Sequence, residues 1–354
     1  MTNAFTASGL FGGLFSDTAI AAEFDAPAFT RRMIAFEAEW TRALGATGVV
    51  PADDMAAALD AIARFSGADL GQGSARDGIP VPALVAALKT GLSKGAASAV
   101  HTGATSQDVM DTAMVLTCLS VLDILVERLS DLIARLDGLF GRFGDRPMMA
   151  RTRMQAALPA TVALRVGAWR RPLVDHLARA ETLRGDLAVV QIGGAIGTRD
   201  APSGQGAACA EIVARALGLS LGPVWHTDRS RMIEFGHWLT LVAGSVGKIG
   251  QDIALMAQQG MDEIALSGGG GSSAMAHKQN PVAAEAMIAL SRYVGGQQGV
   301  LAQAMIHEQE RSGAAWALEW LTLPAMAEAT GAALRHAQTV IPSIVRIGAP
   351  DPAP

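Results

Sequence analysis

The stretch SQDVMDTAMVLTCLSVLDILVERLSDLIARLDGLFGRF, residues 106–143, decides the fold. It holds no proline, only two late glycines, and apolar residues at helical spacing from Val109 to Leu136. A helix of this length, at about 1.5 Å per residue, is a rod of roughly 55 Å. Its apolar positions cover more than one stripe, and such a helix has to be buried on several sides. A single chain of this size rarely surrounds such a rod, so the pattern predicts a bundle shared between subunits. Outward from it, further helical periodicity covers residues 28–44, 52–65, 81–92, 161–183, 207–217, 229–261, 282–311 and 316–339, with a kink expected at Pro172. Strand-like alternation is nearly absent and no internal repeat is visible. The fold class read from the chain is all-α, elongated and oligomeric.

Composition agrees. Half of the 354 residues are hydrophobic but only 5% are aromatic, a balance that suits packed helices. The net charge of −5 is spread without long single-sign runs, so nothing points to nucleic acid or to a membrane surface. Two distant cysteines, Cys118 and Cys209, with no CxxC pair, suggest reduced thiols and a cytoplasmic location. The first residues lack the basic region of a signal peptide, no uncharged apolar run reaches the length of a membrane span, and the GAPDPAP tail reads as disordered.

Four stretches could carry chemistry. HTGATSQDVMDT, residues 101–112, lies where the long helix begins, and Thr105 followed by Asp108 has capping-box spacing. The free N–H groups and positive dipole end there suit a carboxylate, with the Thr105 and Ser106 hydroxyls as added donors. Taken alone, a capped helix explains the same residues. In ARTRMQAALPAT, residues 150–161, Arg151, Arg153 and Gln155 alternate as in an extended segment, and arginine forks bind carboxylates; a solvated loop is the equal alternative. HEQERSGAAWALEW, residues 307–320, lacks the second histidine of a zinc site, so no metal is expected; Arg311 is an anion contact or an ordinary ion-pair partner. QIGGAIGT, residues 191–198, lacks dinucleotide-loop spacing.

The fourth stretch, SGGGGSSAMAHKQNP at 267–281, looks like a linker. Its alternative is a mobile lid that brings Ser272, Ser273, Lys278 and Asn280 over a substrate and excludes water. A serine alkoxide needs stabilisation, which Lys278 and loop amides could supply, while Pro281 pre-sets the next helix.

With these stretches assembled, the chain resembles the fumarase/aspartase superfamily over roughly residues 10–340. GSSAMAHKQNP matches the family's loop pattern GSSxMPxKxNP, with Ala276 in place of the loop proline. Within the superfamily, WHTDRSR at 225–231, QIGGAIGT, and HEQERS with Trp316 and Trp320 are most similar to the 3-carboxy-cis,cis-muconate cycloisomerases. The resemblance implies a smaller N-terminal helical domain at 1–103, a central long-helix bundle at 104–342, a disordered tail at 343–354 and a reduced C-terminal domain. It also implies a homotetramer whose active sites are shared between subunits. Carried over residue by residue, it makes Ser272, Lys278 and His101 catalytic. It places Thr105, Ser106, Arg153, Gln155, Ser273, Asn280, Glu285 and Arg311 on the substrate, a small tricarboxylate, with no metal or other cofactor.

Amine-eliminating members carry histidine where this chain has Arg153. An amine leaves best as its conjugate acid, with a pKa near 10, whereas a carboxylate with a pKa near 4 needs only a cation to hold it. The arginine therefore favours lactone chemistry, in protocatechuate breakdown by the β-ketoadipate route. The alternatives are an adenylosuccinate- or argininosuccinate-type lyase and a non-catalytic member of the fold.

Overall fold

The computed structural model describes residues 8–271 and 279–349. Short helices α1 (Gly12–Phe15) and α2 (Thr18–Glu23) lead into α3 (Ala26–Ala46) and α4 (Ala52–Ala63). Then come α5 (Leu70–Asp77), α6 (Val81–Lys89), α7 (Lys94–Ser98) and the long α8 (Ser106–Phe143). A hairpin, β1 (Pro147–Thr152) and β2 (Gln155–Thr161), precedes α9 (Val162–Leu187), α10 (Gly206–Ala216) and α11 (Ser230–Met256). Strand β3 (Ile264–Leu266), α12 (Val282–Leu301), α13 (Ala314–Val340) and β4 (Ile344–Ile347) complete the order.

The bundle is built from α8, α9, α11, α12 and α13 packed along one another, with α3 laid against α8. On α8 the apolar residues Leu122, Leu125, Leu129, Leu132 and Leu136 recur at three- and four-residue steps and are buried. Each fully buried leucine contributes about 1.5–3 kcal/mol of transfer free energy. The first three turns differ: every residue from Gln107 to Val115 is buried by the chain itself. Within the chain, the segment around Gln191, Arg229 at the start of α11 and Trp316 of α13 close over that part of the rod. By length and composition α8 could cross a membrane, yet 67% of its most apolar window is buried in the protein.

Most helices end within a few residues of the sequence reading, and α9 runs through Pro172 without a break. Three features depart from it. Helix α11 stops at Met256, and α12 stops at Leu301, where a 3-10 turn (Ala302–Met305) follows. Residues 150–161, read as an extended segment or a solvated loop, belong to a hairpin over 147–161: Thr152 faces Gln155, so Arg153 and Met154 form a two-residue turn with φ of 48° and 68°. Both central residues at positive φ match the primed turns whose twist suits a hairpin, here without the usual Asn or Gly. Finally, disorder from residue 343 does not hold for Ile344–Ile347, which pairs antiparallel with β3 because Ile344 and Ile347 are core residues.

Candidate active site

The amino end of α8 is the polar centre of this otherwise apolar bundle. Its capping box is complete, with the Thr105 N–H donating to Asp108 Oδ2 at 3.0 Å. Asp108 is fully buried and is held from four sides. Gly193 and Gly194 donate backbone N–H groups at 2.8 and 3.0 Å, and His226 Nε2 lies 2.9 Å from Oδ1. QIGGAIGT is thus a cradle for a helix-capping carboxylate, not a phosphate loop. A carboxylate accepts only, so the His226 hydrogen sits on Nε2, and its buried Nδ1 has no partner.

One turn further along, Asp111 joins a buried ionic cluster. Arg229 donates through Nη1 and Nη2 to Asp111 at 2.7 and 2.8 Å, and through Nε and Nη2 to Glu319, both at 2.7 Å. Trp316 Nε1 donates to Asp111 Oδ1 at 2.9 Å, and Gln107 Nε2 to Oδ2 at 3.1 Å. The Arg229 guanidinium also lies 4.8 Å from the Trp225 ring centre. Burial by itself would lower the Arg229 pKa, but Asp111 and Glu319 outweigh it and hold the cation firmly protonated. Burial pushes the Glu319 carboxyl upward, Arg229 pulls it back, and Asp111 adds to the rise.

The segment before α13 folds over the same helix end. Arg311 donates to Thr105 Oγ1, and Ser312 donates to Glu308. His307, between the 3-10 turn and Arg311, has both ring nitrogens buried without a partner. Burial, then the Arg229 charge, lowers its pKa against the opposing pull of Asp111 and Glu308. On the other side of the cap, His101 Nδ1 lies 2.6 Å from Glu37 Oε1. A cation over the cap hydroxyl, a helix dipole and two histidines can bind and orient a carboxylate.

His101, Thr105, Ser106 and Arg311 are therefore brought together, with Ser106 as the first, half-buried residue of α8. The other predicted residues stand apart. Arg153 and Gln155 are exposed at the hairpin tip, and Glu285 is exposed in the first turn of α12. Among the described residues no ion pair joins Arg153 to Glu285, and Arg151 is committed to Glu263 at 2.7 Å. Asn280 is half-buried at the base of the glycine-rich loop, where its N–H and C=O bond Gly270 at 2.8 and 2.9 Å. A side chain at Gly270 would meet Val282 Cγ2 at 2.5 Å, so this glycine serves close approach. Ser272, Ser273 and Lys278, and with them the lid reading, lie outside the described residues.

Sequence reasoning missed Glu37, Asp111, His226, Arg229, His307 and Glu319 as site residues. Several of them lie in the motifs themselves, His226 and Arg229 in WHTDRSR and His307 in HEQERS, with QIGGAIGT as their neighbour in space. In the structure all three meet at the first two turns of α8.

A family profile described as Lyase matches residues 1–296. The chain belongs to this lyase family, within the fumarase/aspartase superfamily. It is 38% identical over 341 residues to a 3-carboxy-cis,cis-muconate cycloisomerase of Pseudomonas aeruginosa, covering 94% of this chain and 74% of that one. It is 36% identical to the enzyme of the same name from Pseudomonas putida, covering 95% and 82%. The crystal structure of 3-carboxy-cis,cis-muconate lactonizing enzyme from Pseudomonas putida superimposes with a TM-score of 0.87, covering 96% of this chain and 77% of that one. The all-α architecture of this lyase family is thus the fold of the present chain, whose named strands among the described residues form two short antiparallel pairs.

Proposed function

We propose that the protein interconverts 3-carboxy-cis,cis-muconate and a carboxymuconolactone, the step that the β-ketoadipate route requires. A carboxylate oxygen of the substrate adds to the conjugated double bond, and the displaced electron pair moves into a second carboxylate as an aci-carboxylate. Ser272 delivers a proton to carbon, and in the reverse direction its alkoxide removes it. Lys278 and loop amides stabilise the aci-carboxylate charge. No redox change occurs, and atoms balance between diene and lactone.

The observation that carries the reading is Arg311 seated on the α8 cap residue Thr105, which puts a full positive charge at the dipole's positive end. Such an arrangement favours a multiply charged carboxylate. The names of the relatives that match nearly the whole chain support the particular tricarboxylate. Arg153, Gln155, Asn280 and Glu285 complete the site from other protomers of a homotetramer. Exposed Leu158, Leu164, Tyr293 and Ile306 offer apolar surface for that assembly. The test is an ultraviolet assay of purified protein with 3-carboxymuconate, following loss of the diene chromophore. Release of fumarate from argininosuccinate or adenylosuccinate, with no turnover of the muconate, replaces this reading with an amine lyase.

A further inference from the structure

Three side chains on one face of α3 grip a single short stretch of chain. Glu37, Trp40 and Thr41 follow the i, i+3, i+4 spacing that brings helical side chains to one side, and all three are fully buried. Thr41 Oγ1 donates to the Ala99 carbonyl at 3.0 Å, and Trp40 Nε1 to the Thr102 carbonyl at 2.9 Å. Glu37 Oε1 takes the His101 side chain at 2.6 Å. Between these anchors His101 has φ of 61°, in the left-handed region that a residue with a side chain enters at a cost. Gly103 follows with φ of 84°, and a side chain there would meet Pro202 Cδ at 2.5 Å.

Trp40 and Thr41 suffice to tether the stretch by its backbone. Glu37 adds a cost to the fold, because its second oxygen, Oε2, is buried with no partner. A strained histidine backbone and a half-satisfied buried carboxylate in one contact are what a site keeps when orientation matters more than stability. The geometry has a direction. A carboxylate accepts and does not donate, so the imidazole hydrogen is assigned to Nδ1. Nε2 is left as the unengaged nitrogen of a side chain still 17% exposed, four residues before the cap that Arg311 touches.

We infer that Glu37 is a positioning residue, holding His101 in the Nδ1–H form so that Nε2 meets the substrate. This rests on the cycloisomerase reading for the identity of the substrate, though not for the state of the imidazole. Nε2 then offers its lone pair to a proton on the substrate. Glu37 itself touches no substrate.

The test combines a double-mutant cycle with a spectroscopic signature. Glu37→Gln is expected to lower kcat by at least about tenfold with KM changed by less than about threefold. In a His101→Ala background the same substitution should change kcat by less than about twofold, because Glu37 acts only through the histidine. Glu37→Asp, which keeps the charge, should fall between parent and Glu37→Gln. Nitrogen NMR of the ligand-free parent should report His101 with its hydrogen on Nδ1. Additive losses in the cycle overturn the inference, and so does an Nε2–H tautomer in the parent, which needs no variant to fold. If the parent does not turn over 3-carboxymuconate, the substrate reading fails alone and the NMR result still decides the role of Glu37.

Discussion

Replacing Arg229 by Met should cost the protein several degrees of thermal stability, and the size follows from what the side chain holds apart and together. Its guanidinium makes two bonds to Asp111 and two to Glu319, both carboxylates being at most 2% exposed. Methionine fills much of the volume but strands two buried anions side by side. Breaking such a pair by removing one partner costs about 3–5 kcal/mol. At about 2.1 cal/mol/K per residue, a chain of 354 residues melting as one unit has an unfolding entropy of about 0.74 kcal/mol/K. The melting temperature should therefore fall by about 4–7 °C, read by calorimetry or by the loss of helical circular dichroism. The stranded carboxylates will hold protons more tightly folded than unfolded, so the deficit should grow as pH rises and shrink as it falls. Combining Arg229→Met with Asp111→Asn and Glu319→Gln removes both charges and should restore much of the loss. A single variant melting within about 1 °C of the parent, or a deficit independent of pH, would refute the reasoning.

Arg311→Met removes the cation at the α8 cap and should lower kcat/KM by roughly ten- to a hundredfold without unfolding the chain; parent-like kinetics would take the anion seat away from this residue. Ser272→Ala should reduce turnover by at least about a hundredfold, while Lys278→Met should cost more than Thr105→Val, since the lysine brings a full charge. Near-normal turnover by folded Ser272→Ala would move the proton to another group. Arg153→His should not create amine-lyase activity and, like Arg153→Ala, should lose about 30- to 150-fold in kcat/KM; losses within about twofold would make it a solvated hairpin charge. Burial first, then Arg179, lowers the pKa of His176, and burial with Arg335 lowers that of His336. A lowered folded pKa means stability is full above the unfolded value of about 6.5 and is lost as pH falls below it. Melting temperatures from about pH 7.5 to about pH 5 should show that decline, shallower in His176→Gln; a flat profile in the parent would contradict it.

The long helices were legible because their signal is local. The Ser106–Phe143 boundary follows from a capping box at one end, and the apolar period carries the rest. The hairpin was not legible because its turn uses Arg153–Met154, where the usual Asn or Gly would have marked a reversal. Helices α5 and α7 are too short for the period to show. At the candidate site the cap and Arg311 could be read, but what each touches could not. Glu37 meets His101 across 64 residues, and Asp111 meets Trp316 across 205, separations at which spacing says nothing about contact. Glu37 and Glu319 read simply as polar members of amphipathic helices.

The paired backbone bonds between Gly270 and Asn280 fasten the two ends of the glycine-rich stretch to each other like a clasp. Ser272 lies two residues along the chain from one side of the clasp and Lys278 two residues from the other. Two residues of chain reach at most about 7 Å however they are arranged. While the clasp holds, lengthening the middle of the stretch leaves both of these chain spacings unchanged. Residues inserted between Ala274 and His277 should therefore be tolerated far better than a single one placed between Gly270 and Ser272.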